Sequence, residues 1–595
     1  VAGPEVTEPW DDCLNELVAR RKVLERIEVA SADPGTRRFG PGAFIFPSQT
    51  GRTIRLVLVG FDIEGGAGYR LMYFAWRHRV AIALGAITVA AALLRFATLG
   101  DQSLDHDETV TAARVIHPSF FRSMNVVFNG ERSPPLYYAV IWLWSRVWGT
   151  GVVAVRSLSA VFGTITVVLA YFAGRELASR RAGLVAALLV ALNPYLIWYS
   201  QEARSYGALV MFGALALYFF ARARRTHARR PLAGWAIASG LALLSHYFAV
   251  FFIVPEALLL LIWSEPGRRR ATAMAVAVVA AVGLAVMPLA VMQEGSGRGN
   301  GFTQFPVAQR VETALVKYAT VEGAAPQAGI LSTTPVEREI GLIGVGLVAV
   351  AVLLVMTRGS PTERRGAGVA AGVAVAAFGV PVLMAWGGFD YVDPRNLIGA
   401  VVPALIALGI GLSVRGAGLG VLATLGCAAT FAYGLHAEST TPAMQRHDWQ
   451  AAASTLPQRH GAELYVVPQD GRTPLSYYTG RRLDKFAPQH FTGGVATRRI
   501  VVVSDYLPVH SPDPRFRLVT SRSAPQHWTV NTYSSAHPVV VTAGRLARAR
   551  IMPQPATVLA GGKPVLLAAE ARVDRREAES ITPRSAERRA RPAGG

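Results

Sequence analysis

Four short runs in this sequence hold residue types that do chemistry. The first, Asp105-His106-Asp107-Glu108, sets three carboxylates within four positions. Like charges this close repel one another, which calls for a metal, a cationic substrate or a catalytic use. The same run reads as a helix start, because Asp is a good N-cap and acids suit the positive end of a helix. A cap, however, accounts for one carboxylate rather than three. The second run is Glu131-Arg132-Ser133-Pro134-Pro135-Leu136-Tyr137-Tyr138, in which Pro at the first helical positions is mechanically reasonable. The third is Asn193-Pro194-Tyr195 followed by Tyr199-Ser200-Gln201-Glu202-Ala203-Arg204-Ser205-Tyr206, whose Glu and Arg are candidates to pair with each other. The fourth is Asp390-Tyr391-Val392-Asp393-Pro394-Arg395-Asn396. Its Arg395 suits either snorkelling to headgroups or a bidentate grip on phosphate. His246-Tyr247 adds a ring nitrogen able to bind phosphate or metal, or to serve as a hydrogen-bonded structural histidine.

These runs lie between apolar stretches. The chain has 595 residues, 51% hydrophobic and 17% charged, with mean hydropathy +0.32. A soluble domain of this size carries more charge, so part of the solvent is lipid. The net charge of +21 raises nucleic-acid binding. Its placement excludes that reading, because Arg175–Arg181, Arg222–Arg230, Arg268–Arg270 and Arg358–Arg365 sit in short loops between apolar runs, as the positive-inside rule expects of cytoplasmic loops.

A crossing of about 30 Å needs roughly 17 to 25 apolar residues. Eleven segments are expected to cross: 79–98, 152–174, 182–198, 204–222, 233–245, 247–263, 271–292, 339–357, 367–387, 396–413 and 416–435. The fold class expected is thus an α-helical polytopic membrane protein, anchored without a cleaved leader because the first apolar run begins near Phe74. Putting the basic loops in the cytoplasm places the N-terminus inside and, after an odd number of crossings, the C-terminal region outside. Pro134–Trp148, rich in Tyr and Trp, is expected to lie along the outer surface, since a full crossing there would reverse every later loop. All four chemical runs then face outward.

The domain reading is a cytoplasmic region 1–73, a membrane module 74–436 with an outer loop 99–151, an outer α/β domain 437–543, and a basic tail 544–595 without order. Strands are expected at Glu463–Val467, Arg499–Ser504, Phe516–Thr520 and Trp528–Tyr533, after a helical stretch from His447 to Leu456. Residues 1–72 show a charged helical stretch at Asp11–Val29 and a Gly65-Gly66-Ala67-Gly68 run that lacks the Lys and the flanking pattern of a phosphate loop. Cys13 and Cys427 support neither a disulfide framework nor a cysteine metal site.

The order of these motifs resembles the GT-C superfamily of membrane glycosyltransferases, over roughly residues 75–460. A carboxylate pair after the first span comes first, then an acid before Pro-Pro-Leu-Tyr-Tyr, Asn-Pro, Ser-Gln-Glu-Ala-Arg-Ser-Tyr, His-Tyr and Asp-Pro-Arg-Asn-Leu. The chain looks most like bacterial proteins related to protein O-mannosyltransferases and to the aminoarabinose transferases that modify lipid A. It departs from many of them at Ser133, where they carry His before Pro-Pro, and at Asn396, where they carry Tyr.

The resemblance implies a polyprenyl-phosphate sugar as donor, an extracytoplasmic glycolipid, polysaccharide or protein as acceptor, and no nucleic acid. It implies Asp107 and Glu108 as the catalytic pair, with Asp107 as the base and Asp105 lacking a counterpart. Arg395 and Arg204 are expected to hold the donor phosphate, and Glu131, Glu202, Tyr206, His246 and Tyr247 to line the substrate site. A divalent cation on Asp107, Glu108 and Glu202 is admitted, Mg or Mn with oxygen ligands and Zn if histidine joins them. A transporter or flippase of lipid-linked substrates is the alternative, since intramembrane charges and broken helices mark those proteins too.

Overall fold

A computed structural model describes residues 66–294, 305–319, 335–416, 418–441, 444–456, 463–468, 471–480, 495–504, 509–523, 528–551, 556–560 and 563–567. Of the N-terminal unit Val1–His78, only the opening of the first helix falls within these, and the readings made for residues 1–65 lie outside the described residues.

Helices occupy all eleven segments expected to cross, one of them broken at Asn193. In chain order the first helices are α1 (Gly66–Phe96), α2 (His106–Val110), α3 (Phe120–Gly130), α4 (Leu136–Trp148), α5 (Val152–Leu177), α6 (Arg180–Leu192), α7 (Pro194–Ser200), α8 (Tyr206–Thr226), α9 (Arg229–Ser245) and α10 (Val250–Ile262). There follow α11 (Arg269–Glu294), α12 (Val307–Lys317), α13 (Pro335–Arg358), α14 (Pro361–Trp386), α15 (Val401–Leu412) and α16 (Gly418–Thr440). Eight helical stretches are long and apolar enough to cross a membrane. The protein is a polytopic α-helical membrane protein.

The expected continuous span 182–198 is corrected by the structure. α6 stops at Leu192 and α7 turns away by 62°. Asn193 sits in extended backbone, as a residue before proline must, and its side chain accepts from the Leu196 N–H to start α7 with Pro194 in the first turn. The break delivers the Gln201–Ser205 turn to one end of the bundle. α9, with 17 residues, and α10, with 13, are the short pair expected around Ser245–Tyr247. α4 matches the segment expected to lie on the surface.

Chain alternation puts the four chemical runs at one set of helix ends and the Arg clusters at the other, where Arg222 and Arg225 of α8 both pair with the buried Glu176 of α5. Between them lies an apolar core drawn mainly from α5, α6, α8, α9, α14 and α15. α5 and α7 approach so closely that a Cβ on Gly163 would overlap the Ser200 hydroxyl and crowd Arg95.

After α16 the chain forms α17 (Trp449–Ser454), capped by Asp448, then β1 (Glu463–Pro468), α18 (Arg472–Thr479), β2 (Val495–Ser504), β3 (Arg517–Ser523), β4 (Thr529–Val541), α19 (Ala543–Arg548), β5 (Ala556–Ala560) and β6 (Lys563–Leu567). The sheet order is β3-β4-β2-β1-β5-β6, with β1 and β2 parallel and every other pair antiparallel. Strand alternation divides its core. Leu464, Val466, Ile500 and Val502 face one side, while Tyr465, Val467, Val501 and Val503 meet Trp449, Leu475 and Trp528 on the other. The expected α/β domain is therefore present, but its boundary at 543 is corrected. β5 pairs with β1 across five positions, so the sheet reaches into the stretch read as an unordered tail.

Candidate active site

Asp105 and Glu108 form a reciprocal helix cap. The Asp105 carboxylate caps the first turn of α2, and Glu108 Oε2 accepts from the Asp105 N–H at 3.2 Å. The extra acid of the sequence motif is thereby explained as the residue that starts the helix.

Glu108 is fully buried and its carboxylate is committed. Arg156 Nε and Nη2 donate to its two oxygens at 2.7 and 2.6 Å, and the Ala203 N–H donates to Oε1 at 3.0 Å. The rest of the Arg156 fork binds the carbonyls of Leu99, Gln102 and Ser103, so one guanidinium folds the loop that leads to α2. Arg446 Nε approaches Glu108 Oε2 at 3.8 Å from the start of the C-terminal region. Burial pushes the Glu108 carboxyl up, and Arg156, its hydrogen bonds and Arg446 together outweigh this and hold it below its ordinary value.

Asp107, the next residue back, points the other way. Its side chain is 36% exposed and its Oδ2 accepts from Arg395 Nη1 at 3.1 Å. Burial is the largest single influence and pushes this carboxyl up, but Arg204, Arg395 and His106 together outweigh it and bring it down to about 2.

Arg395 stands in a tight helical turn, Pro394–Ala400, whose N-cap Asp393 accepts from the Arg395 N–H at 3.1 Å and lies 3.5 Å from its Nε. The preceding loop is held by Arg310 of α12, which grips Asp390 with two nitrogens and donates to the Val392 carbonyl.

Arg204 does not pair with Glu202. Its Nη1 donates to Glu131 Oε2 at 2.8 Å, and the Tyr138 hydroxyl donates to the same oxygen at 2.9 Å. Glu131 therefore aims Arg204 through this one oxygen. The Arg204 Nε is buried without a hydrogen-bond partner among the described residues.

Glu202 is left with no ion pair within 4 Å among the described residues, and it is buried. Burial drives its carboxyl up to about 8; Arg446 opposes this, and Glu108 and Asp107 add to it. Its surroundings thus favour the protonated form. His246 is also buried, and burial together with Arg204 and Arg395 lowers its pKa to about 3. It is a neutral ring and not the cation a phosphate would favour. Its Nδ1 accepts from the Phe248 N–H, and its ring packs on Tyr206, which in turn packs on Tyr199. Tyr247 is directed elsewhere, its hydroxyl donating to Gln293 of α11 at 2.9 Å.

The structure thus brings together Asp107, Arg395, Arg204, Glu131, Glu202, Tyr206 and His246, turns Glu108 into scaffold, and takes Tyr247 out. Among the described residues no three His, Cys, Asp or Glu side chains are grouped to hold a metal ion. With both Glu108 oxygens taken, the cation set of Asp107, Glu108 and Glu202 does not assemble. Sequence reasoning missed Arg156, Arg310 and Arg446. For Arg156 the signal was present, as a lone Arg within the apolar start of a span.

The sequence model of the dolichyl-phosphate-mannose-protein mannosyltransferase family matches residues 132–291, from the Ser-Pro-Pro-Leu-Tyr-Tyr motif to the end of α11. It bears out the resemblance to GT-C glycosyltransferases read from the motifs. Among solved structures, ArnT from Cupriavidus metallidurans is similar at 14% identity, with 76% of this chain and 98% of that one covered and a TM-score of 0.46. The oligosaccharyltransferase AglB from Archaeoglobus fulgidus is similar at 12% identity, with 69% of this chain and 64% of that one covered and a TM-score of 0.44. The protein O-mannosyltransferase complex Pmt1-Pmt2 of S. cerevisiae is similar at 19% identity over 46% of this chain and 41% of that one, with a TM-score of 0.31. No curated protein matches the sequence.

Proposed function

We propose that this chain is an integral membrane glycosyltransferase that moves a sugar, with inversion, from a polyprenyl-phosphate donor to a hydroxyl of an extracytoplasmic glycolipid, polysaccharide or protein. One observation carries the reading: an open carboxylate, Asp107, stands 3.1 Å from an Arg that is itself 39% exposed, with a second Arg, Arg204, acting on the same carboxylate. A carboxylate between two guanidiniums is an arrangement for taking a proton beside a phosphate. The family match over residues 132–291 supports a dolichyl-phosphate type of donor. The flippase alternative draws no support from that match.

In the proposed reaction the donor phosphate settles on Arg395 and Arg204, whose forks suit its oxygens. That engagement loosens Arg395 from Asp107 and neutralises the charges that depress the carboxyl, so Asp107 regains basicity as the donor arrives. The acceptor hydroxyl gives its proton to Asp107 while its oxygen attacks the anomeric carbon from the face opposite the phosphate. The bond from that carbon to the phosphate oxygen breaks, its electron pair stays on the phosphate, and the guanidiniums stabilise the added charge. Glu202, in its protonated form, donates a hydrogen bond to the sugar or the phosphate.

The orientation proposed puts the Arg clusters and the N-terminus in the cytoplasm, and the site and the sheet domain outside. The test is transfer from labelled polyprenyl-phosphate mannose by purified protein, with a membrane lipid and protein extract as acceptor. Transfer by wild type and its loss in Asp107→Asn support the reading; near-normal transfer by Asp107→Asn sinks it.

A further inference from the structure

Arg446 lies outside every motif described from the sequence, yet its side chain is almost wholly buried, 2% exposed, at the end of the bundle where the chemistry is proposed. It follows α16 and precedes α17, so it stands where the membrane module passes into the sheet domain. Its guanidinium stacks over the Trp198 ring at 4.0 Å and donates from Nη2 to the Trp198 carbonyl at 3.1 Å. That carbonyl belongs to the last turn of α7 and also accepts from the Gln201 N–H at 2.9 Å, so Arg446 binds at the point where the helix passes into the Gln201–Arg204 turn.

The Arg446 backbone is gripped in turn. Its N–H donates to Gln102 Oε1 at 2.8 Å. The neighbouring His447 carbonyl accepts from the Ser103 hydroxyl at 2.7 Å, and the Trp449 N–H donates back to that hydroxyl at 3.0 Å. Tyr478 of α18 completes the clasp by accepting from the Leu104 N–H at 2.6 Å. One short segment of the C-terminal region therefore holds both the loop that precedes Asp107 and the helix that precedes Glu202 and Arg204.

We propose that Arg446 is a positioning residue for the transfer reaction: wedged between Trp198 and Glu108, it fixes the Gln201–Arg204 turn against α2, so that Glu202 and Arg204 face Asp107. The proposal rests on the glycosyltransferase reading. Arg446 does not touch the reacting atoms, since Trp198 and Glu108 cover it. Its planar fork matters because stacking on a ring and reaching a carbonyl at its edge is geometry that an ammonium group does not reproduce.

The experiment compares wild type, Arg446→Met and Arg446→Lys in detergent, reading transfer from labelled polyprenyl-phosphate mannose, binding of polyprenyl phosphate alone, and the pH profile. Arg446→Met is expected to lose about 100-fold in kcat, the scale of a misplacement of about 1 Å. Binding of polyprenyl phosphate is expected to stay within about threefold, because Arg395 and Arg204 remain. Arg446→Lys is expected to fall between the two. The titratable groups acting on Glu202 are Arg446, Arg395 and Arg156 on the attractive side, and Glu108, Asp107, Tyr206 and Tyr137. Arg446 is the strongest attraction on the Glu202 carboxylate, so its loss moves the alkaline limb of the profile to higher pH in Arg446→Met, and the limb stays in place in Arg446→Lys.

Wild-type transfer and an unmoved profile in Arg446→Met overturn the proposal. So does a parallel loss of polyprenyl phosphate binding and transfer in a protein with unchanged melting, which makes Arg446 a binding residue. If Arg446→Met fails to fold, Gln102→Ala frees the Arg446 backbone without altering its guanidinium. A fall of about tenfold in kcat with binding intact then supports the proposal, and an unchanged kcat overturns it. Wild-type protein that neither binds polyprenyl phosphate nor transfers from its mannose ester removes the glycosyltransferase reading itself, and this proposal with it.

Discussion

Asp107 and Glu108 are adjacent in sequence and opposite in setting. Both are carboxylates paired with an arginine on the same short helix. The Arg156–Glu108 pair is sealed, at 1% and 0% side-chain exposure, and every nitrogen of the arginine is spent on the loop around it. The Asp107–Arg395 pair is open, single-contact, and joins two groups that a phosphate and a hydroxyl can separate. A saturated ion pair is architecture, whereas one with surface to spare is available for chemistry. Burial and hydrogen-bond saturation, rather than residue type, tell the two apart.

The widest way to break the comparison is to remove each acid in turn. Asp107→Asn is expected to cut transfer by about 10²- to 10⁴-fold, the range for loss of a general base, with a melting transition close to wild type. The open pair contributes at most about 1 kcal/mol to stability. Glu108→Ala should do the reverse in kind. It leaves a buried guanidinium without its partner and is expected to cost about 3–5 kcal/mol, read as a large drop in melting temperature or failure to accumulate. A stable, inactive Glu108→Ala protein would abolish the distinction.

Arg395→Lys sharpens the open side. It keeps the charge and loses the fork, so donor KM is expected to rise by about tenfold while acceptor KM holds. A change confined to the acceptor counts against the phosphate role. Glu202 gives the pH test. With its carboxyl at about 8, transfer in wild type is expected to fall as pH rises through that value, and Glu202→Gln is expected to flatten that limb. The sign for stability is the same. The folded state holds this proton and the unfolded chain gives it up from 4.5, so the stabilising contribution shrinks as pH rises from there toward about 8. The smallest effect belongs to Tyr478→Phe, which removes one acceptor from the Leu104 N–H and is expected to cost about 1 kcal/mol, with kcat changed severalfold at most.

Much of this was legible in the sequence. Hydrophobic length located the eight helical stretches long enough to cross a membrane, and the motifs singled out Asp107, Arg395 and Arg204, which the structure brings together. What escaped depends on partners far along the chain. The role of Glu108 is decided by Arg156, and Glu131 is turned toward Arg204 by Tyr138; neither pairing follows from local spacing. The cap formed by Asp105 was weighed, but its reciprocal half on Glu108 requires a helix already in place. β5 and β6 lie in a stretch whose composition suggested no order, because β5 is fixed by pairing with β1, some ninety residues earlier. The break in the third span was signalled by Asn193-Pro194, and a length count alone ran across it.

The two ion pairs also differ in time. Glu108 and Arg156 are 48 residues apart, Asp107 and Arg395 are 288, and Gln102 and Arg446 are 344. A ribosome adding about 5–20 residues per second makes the sealed pair within seconds of the loop's emergence, and delays the open pair by roughly a quarter of a minute to a minute. Through that interval α2 can exist, capped and anchored, while Asp107 still lacks Arg395. Insertion thus builds the frame first and the open pair later, before the last two helices of the bundle follow and Arg446 closes behind them.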